Sequence, residues 1–238
     1  METVEDSFGK IVTLARAEGA MHYRSLAHVR AYWEALRKGR QVPGRAEVDP
    51  RGIEQALEFA FIAERIAPGM ARFRLAGMHL NDLMGMEVRG MPLSAFFAPE
   101  ARKRISDVVE AVFQGPEVAE VTLQAEAGIG KPPLTARLLI LPLKSDLGDV
   151  NRALGCLASD GQIGRSPRRF TITSVQMSKI TAGVPVEPGT VEPVSPVPPL
   201  PETNRLPGLA EPGRGFAHPA AGTPEARRAG FRIVRNDT

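Results

Sequence analysis

Few residues in this chain have the type and spacing that chemistry requires. Its four histidines are His22, His28, His79 and His218, and none stands in a motif with a nucleophile or at a metal-ligand spacing. Cys156 is the only cysteine, which excludes an internal disulfide and any multi-cysteine metal site. It lies between Gly155 and Leu157 in an apolar run, where a cysteine is an ordinary small core residue. Asp82 and Glu87 do not form a convincing carboxylate pair. Gly128-Ile129-Gly130-Lys131 has the outline of a phosphate loop, yet Ala125 stands where the first glycine is needed and Pro132 where a hydroxyl residue is needed. A connection between two strands suits it better. No catalytic residue and no metal ligand is assigned, and no enzyme is expected.

The charged residues are equally restrained. Lys and Arg number 30 against 27 Asp and Glu, so the formal charge of +3 is weak evidence for a nucleic-acid partner. Basic residues gather at Arg37-Lys38 with Arg40, at Arg102-Lys103-Arg104, and between Arg165 and Arg169. They read as solvated surface. Binding of nucleic acid or another polyanion through these clusters is the alternative function.

The elements that would position any site are easier to read. The clearest is a helix over Pro99–Gln114, where Ile105, Val108, Val109, Val112 and Phe113 recur at helical spacing and Gly115-Pro116 ends the run. A second helix spans 22–38, with Leu26, Val29, Trp33 and Leu36 as its apolar stripe; Trp33 is expected to anchor it to the main core. A short helix around Phe8–Ala15 is also expected. Phe59–Ile66 and Ala71–Ala76 form a hairpin about Pro68-Gly69, with Phe73 and Leu75 on one face and Arg72, Arg74 and Ala76 on the other. Met78–Leu83 and Leu93–Phe97 are short helical turns. Val118–Glu126 alternates as a half-buried strand, Leu134–Leu143 is apolar on both faces, and Arg152–Ser159 is the last full strand. Phe170–Val175 is a further short strand or an extended piece.

From Gly183 the composition changes. Eleven of the 21 prolines lie between Pro185 and Pro224, and such a segment buries too little apolar surface to offset its ordering entropy. Residues 183–238 are therefore expected to be a disordered tail, with Ala226–Arg235 as a basic, partly apolar end. The first residues are too acidic for a secretory signal, and no apolar run approaches the ~20 residues that span a bilayer. A cytoplasmic protein is expected.

Three stretches carry a family resemblance: AYWEALRKGRQVPGRAEVDP (31–50), RFRLAGMHLNDLMGMEVRGMPL (72–93) and LLILPLKSDLGDVNRALGCL (138–157). Tyr32-Trp33, Pro43, Asp49-Pro50, Arg72–Gly77, Gly85, Gly90, Pro142-Leu143 and Arg152–Gly155 fill the places of its pattern. Through them the chain resembles a bacterial PAS family of small proteins. The resemblance implies an α+β PAS fold: a five-stranded antiparallel sheet with helices on one face, preceded by an N-terminal helix. It divides the chain into an N-terminal helical region and linker (1–50), a PAS core (51–165), an extended segment (166–182) and the tail.

The resemblance also frames the function. It implies a non-catalytic sensory or regulatory module working through protein contacts, with a signalling protein as partner and a homodimer through residues 22–38. PAS domains hold ligands between sheet and helices. Here that space would be lined by Phe59, Phe61, Phe73, Leu75, Met78, Leu83, Met84, Phe96, Phe97, Val109, Val112, Leu138 and Ile140. These side chains either fill the core or admit a small apolar ligand, and filling is favoured. No cofactor is expected. A haem would want a histidine on the long helix, which has none, and a photoreactive flavin would want its cysteine elsewhere than Cys156.

Overall fold

A computed structural model describes residues 23–183 and 191–193. The expected helix near Phe8 and nearly all of the tail, including Ala226–Arg235, lie outside the described residues. The centre is one antiparallel sheet of seven strands in the order β2-β1-β5-β4-β3-β6-β7. The strands are β1 (Ala60–Ala67), β2 (Met70–Ala76), β3 (Glu117–Ala125), β4 (Thr135–Lys144), β5 (Val150–Asp160), β6 (Phe170–Lys179) and β7 (Val191–Pro193). The helices are α1 (residues 23–37), α2 (Met78–Met84) and α3 (Arg102–Gln114), with 3-10 turns at Pro50–Ala56, Leu93–Phe96 and Pro99–Ala101.

The α+β fold is as expected, but the strand count is not. Beside the five expected strands, the segment from Phe170, read as a short strand or an extended piece, becomes β6, a full sixth strand, and β7 is a short seventh. β6 runs along the whole of β3, from Glu117 opposite Lys179 to Ala125 opposite Phe170. Without it, the far edge of β3 would expose a row of unpaired backbone groups. Its sequence hides this role, because Thr171, Thr173, Ser174 and Gln176 dilute the apolar alternation.

Strands β4 and β5 explain the layering. Leu138 and Ile140 face one way, and Leu139, Leu141 and Leu143 face the other. Ala153 and Leu157 oppose Leu154, Cys156 and Ala158 in the same manner. Both faces must therefore be covered. α2, the Leu93–Phe96 turn and α3 close the inner face through Leu83, Phe96, Ile105, Val109 and Val112. The turn between β1 and β2 is clamped onto α3: Ser106 Oγ donates to the Gly69 carbonyl at 2.6 Å, and the Glu110 carboxylate accepts the Gly69 N–H at 2.7 Å.

The outer face belongs to α1 and the Pro50–Ala56 turn. Leu26, Val29 and Trp33 meet Ile53, Phe59, Ile62, Leu139, Leu141 and Leu154 there. Trp33 thus anchors its helix to a second core, across the sheet from the first. β3 pairs with β4 only as far as Ile140, so Pro142 lies beyond that ladder and its missing N–H breaks no pairing with β3. Its carbonyl instead accepts the Trp33 indole N–H at 2.9 Å. Trp33→Ala is expected to cost about 3–5 kcal/mol, since it opens a cavity and orphans a buried carbonyl. Urea denaturation followed by circular dichroism measures this, and a loss below about 1 kcal/mol would show that α1 is not held by this residue.

Candidate functional site

The expected lining residues divide into two groups. Phe61, Phe73, Leu83, Met84, Phe96, Phe97, Val109, Val112, Leu138 and Ile140 all sit in the inner core. Their rings are in edge contact, with Phe61 to Phe73 at 5.1 Å and Phe73 to Phe96 at 5.3 Å between centroids. Phe61 also lies directly across from Gly155; a Cβ there would sit 2.0 Å from the ring. The aromatic cluster thus occupies the space that a side chain on β5 would otherwise take. Phe59 belongs to the outer core.

Leu75 and Met78 are elsewhere. They are 50% and 64% exposed, on the outer side of the hairpin. The cause is a β-bulge. Ile62 pairs with Leu75 and Ala63 with Phe73, which leaves Arg74 as a surplus residue on β2. The surplus residue shifts the alternation, so Arg74 and Leu75 both face outward and Ala76 turns in to pack on the inner core.

The bulge opens an apolar groove of about 620 Å³ on the outer face, beyond the reach of α1. Val48, Ile53 and Leu57 form one wall; Ile62, Leu75, Met78 and Leu154 form the other. Leu57, at its rim, is 46% exposed. Glu54 and Glu58 also line the groove, and neither carboxylate has a side-chain partner among the described residues. Arg45 lines the same groove, so two carboxylates and one guanidinium stand beside its apolar floor.

Next to the groove, Glu64 receives Arg74 and Arg152 together. Burial pushes its carboxyl up. The Arg74 hydrogen bond and the charges of Arg152 and Arg74 outweigh that and hold it below the ordinary carboxylate value.

The other chemistry-bearing residues are in structural surroundings. His79 stands edge-on to Phe59 at 4.9 Å, and its Nε2 is 3.0 Å from Ser159 Oγ. Cys156 is buried in the outer core, and burial pushes its thiol up to about 12, which keeps it protonated and unreactive. Arg37 and Arg168, from two of the three basic clusters, are buried. Arg37 donates to the Thr181 carbonyl at 2.7 Å and to Glu34 at 2.6 Å. Arg168 donates to the carbonyls of Glu126 at 3.0 Å and Pro132 at 2.7 Å. No group of three or more His, Cys, Asp or Glu residues that could hold a metal occurs among the described residues. None of the described helices is long and apolar enough to cross a membrane.

Over residues 21–158, more than half of the chain, the sequence matches a family model described as a PAS domain. No curated protein matches it. Among solved structures it is similar to the light state of the LOV domain of the blue-light photoreceptor Aureochrome1, at 16% identity and a TM-score of 0.35, covering 47% of this chain and 88% of that one. A likeness at that level carries no argument about function.

Glu64→Gln is expected to cost about 1–2 kcal/mol at neutral pH, because two guanidiniums lose their counterion. The folded carboxyl ionises below its unfolded value of 4.5, so its contribution is complete above that pH and is lost as pH falls through the lower folded value. Urea denaturation at both pH extremes checks this: the gap between wild type and variant should close in acid, and a gap of constant size would show that ionic contacts are not its source.

Proposed function

The chain belongs to the PAS domain family, and from that premise we propose that it is a non-catalytic regulatory module that works by contact with another protein. The single observation that carries this reading is the outward apolar groove, with Leu57, Leu75 and Met78 exposed around it. Exposed apolar surface gathered around a concavity marks contact sites on soluble domains. The occupant it suits is a partner segment with apolar anchors and basic residues, drawn by Glu54 and Glu58. Inside the domain, Phe61, Phe73 and Phe96 stand ring to ring.

Two other expectations draw less support. A homodimer through residues 22–38 would have to use the outward face of α1, around Ala27, Ala31 and Ala35, because Leu26, Val29 and Trp33 are turned to the sheet. Nucleic-acid binding through the sequence clusters loses Arg37 and Arg168 to main-chain carbonyls, and Arg40 to an ion pair with Glu47 at 2.7 Å.

A photoreactive residue at Leu57 tests the groove in cells of the source organism. Leu75→Glu and Met78→Glu should each change stability by less than about 0.5 kcal/mol, since both side chains are exposed, and should abolish the crosslinked product. Crosslinks that survive both substitutions, or that form only from the outward face of α1, would remove the groove from this reading. Turnover of any substrate by the purified chain would end the non-catalytic claim.

A further inference from the structure

The fold collects five arginines from four segments that are far apart in the sequence. Arg45 comes from the linker after α1, Arg72 and Arg74 from β2, Arg89 from the loop after α2, and Arg152 from β5. With Ile62, Phe73 and Leu75 they line a second groove, of about 420 Å³. Its floor is a row across three strands: Arg72 pairs with Glu64, and Glu64 with Arg152. Arg74 joins them because the bulge turns it outward. Arg89 is brought over the edge of β2 by two main-chain bonds, Gly90 N–H to the Phe73 carbonyl at 2.8 Å and Phe73 N–H to the Met91 carbonyl at 3.0 Å.

One carboxylate stands among these five guanidiniums. Glu64 is engaged by Arg74 and Arg152. Among the described residues no carboxylate pairs with Arg45, Arg72 or Arg89. The Arg72 Nε is buried with no hydrogen-bond acceptor, a donor left open in a site otherwise built of donors. Like charges that converge on a concave wall repel one another until an anion arrives.

We propose that this groove binds a small phosphate ester carrying two or more negative charges. Guanidinium forks match phosphate oxygens two at a time, and the three unpaired arginines exceed what a single carboxylate could satisfy. The volume is that of a small-molecule site, too small for a duplex or a folded partner. Ile62 and Leu75 are shared with the apolar groove and give the uncharged part of the ester a surface to lie on. The site does not rest on the protein-contact reading, and it keeps its charge when Leu57 or Met78 is replaced.

Isothermal titration calorimetry of the full chain with inorganic pyrophosphate tests the assignment. Saturable one-to-one binding is expected. The pair Arg45→Gln and Arg89→Gln should weaken it on the order of tenfold or more, because both contribute forks to the phosphate. Neither makes a side-chain bond within the described residues, so the fold should survive, which a circular dichroism melt verifies; Arg89→Gln alone is the milder version of the same variant. Arg24→Gln with Lys179→Gln removes the same charge from exposed positions elsewhere and should leave the affinity unchanged. Absence of saturable heat would overturn the proposal, as would equal weakening by both pairs. Binding to vesicles of phosphatidylcholine and phosphatidic acid, with none to pyrophosphate, would also overturn it, since it would place the phosphate on a lipid surface.

Discussion

Strands β4 and β5 carry apolar side chains on both faces, and water has to be kept from both. The rest of the molecule answers that constraint. A sheet with one wet face would need only α2, α3 and the turns between them. The leucines at 139, 141, 143 and 154 demand a second cover, and α1 with the Pro50–Ala56 turn supplies it. Covering is incomplete at the β1–β2 end, and both grooves lie there. The position of any recognition surface is thus a by-product of where the second layer stops.

The residues that carry the family resemblance hold this arrangement together. Tyr32 lies so close over Gly52 that a Cβ there would be 2.1 Å from its ring, and its hydroxyl both accepts the Asp49 N–H at 2.7 Å and donates to the Asp49 carbonyl at 3.1 Å. Asp49 in turn accepts the Arg51 N–H at 3.0 Å at the start of the 3-10 turn. Trp33 satisfies the Pro142 carbonyl, and Arg152 meets Glu64. None of these contacts performs chemistry. A pattern made of them identifies an architecture and names no ligand or partner.

Much of the architecture was legible because it is local. The alternation in β3 and the five-residue apolar stripe of α3 are periodicities that a single segment declares. Trp33 was legible as an anchor for the same reason, although the core it meets is the outer one. Three features were not local, and each was missed or only half read. β6 was legible only as a short strand or an extended piece over Phe170–Val175, because its alternation is weak and it is stabilised by the strand it pairs with. Leu75 alternates inward on paper, but one surplus residue reverses it, and nothing in R-F-R-L marks the surplus. Arg37 and Arg168 look like members of surface clusters, while their partners are carbonyls from segments remote in sequence. The arginine groove is the extreme case: the pairing of β1 with β2 and β5 brings Arg72, Arg74 and Arg152 together, and the loop after α2 and the linker after α1 add Arg89 and Arg45.

The bulge has a consequence for chain length. With Arg74 absent, Phe73 would still pair with Ala63 and Leu75 with Ile62, so both faces of the hairpin would keep their present occupants. Within the regularly paired parts of β1 and β2 a one-residue deletion would turn the following side chains over, exchanging the inner core for solvent. A second irregularity, between Arg65 and Ala67, lies beside the turn; in the middle of the hairpin a deletion is forgiven at Arg74, and what it would remove is a single guanidinium.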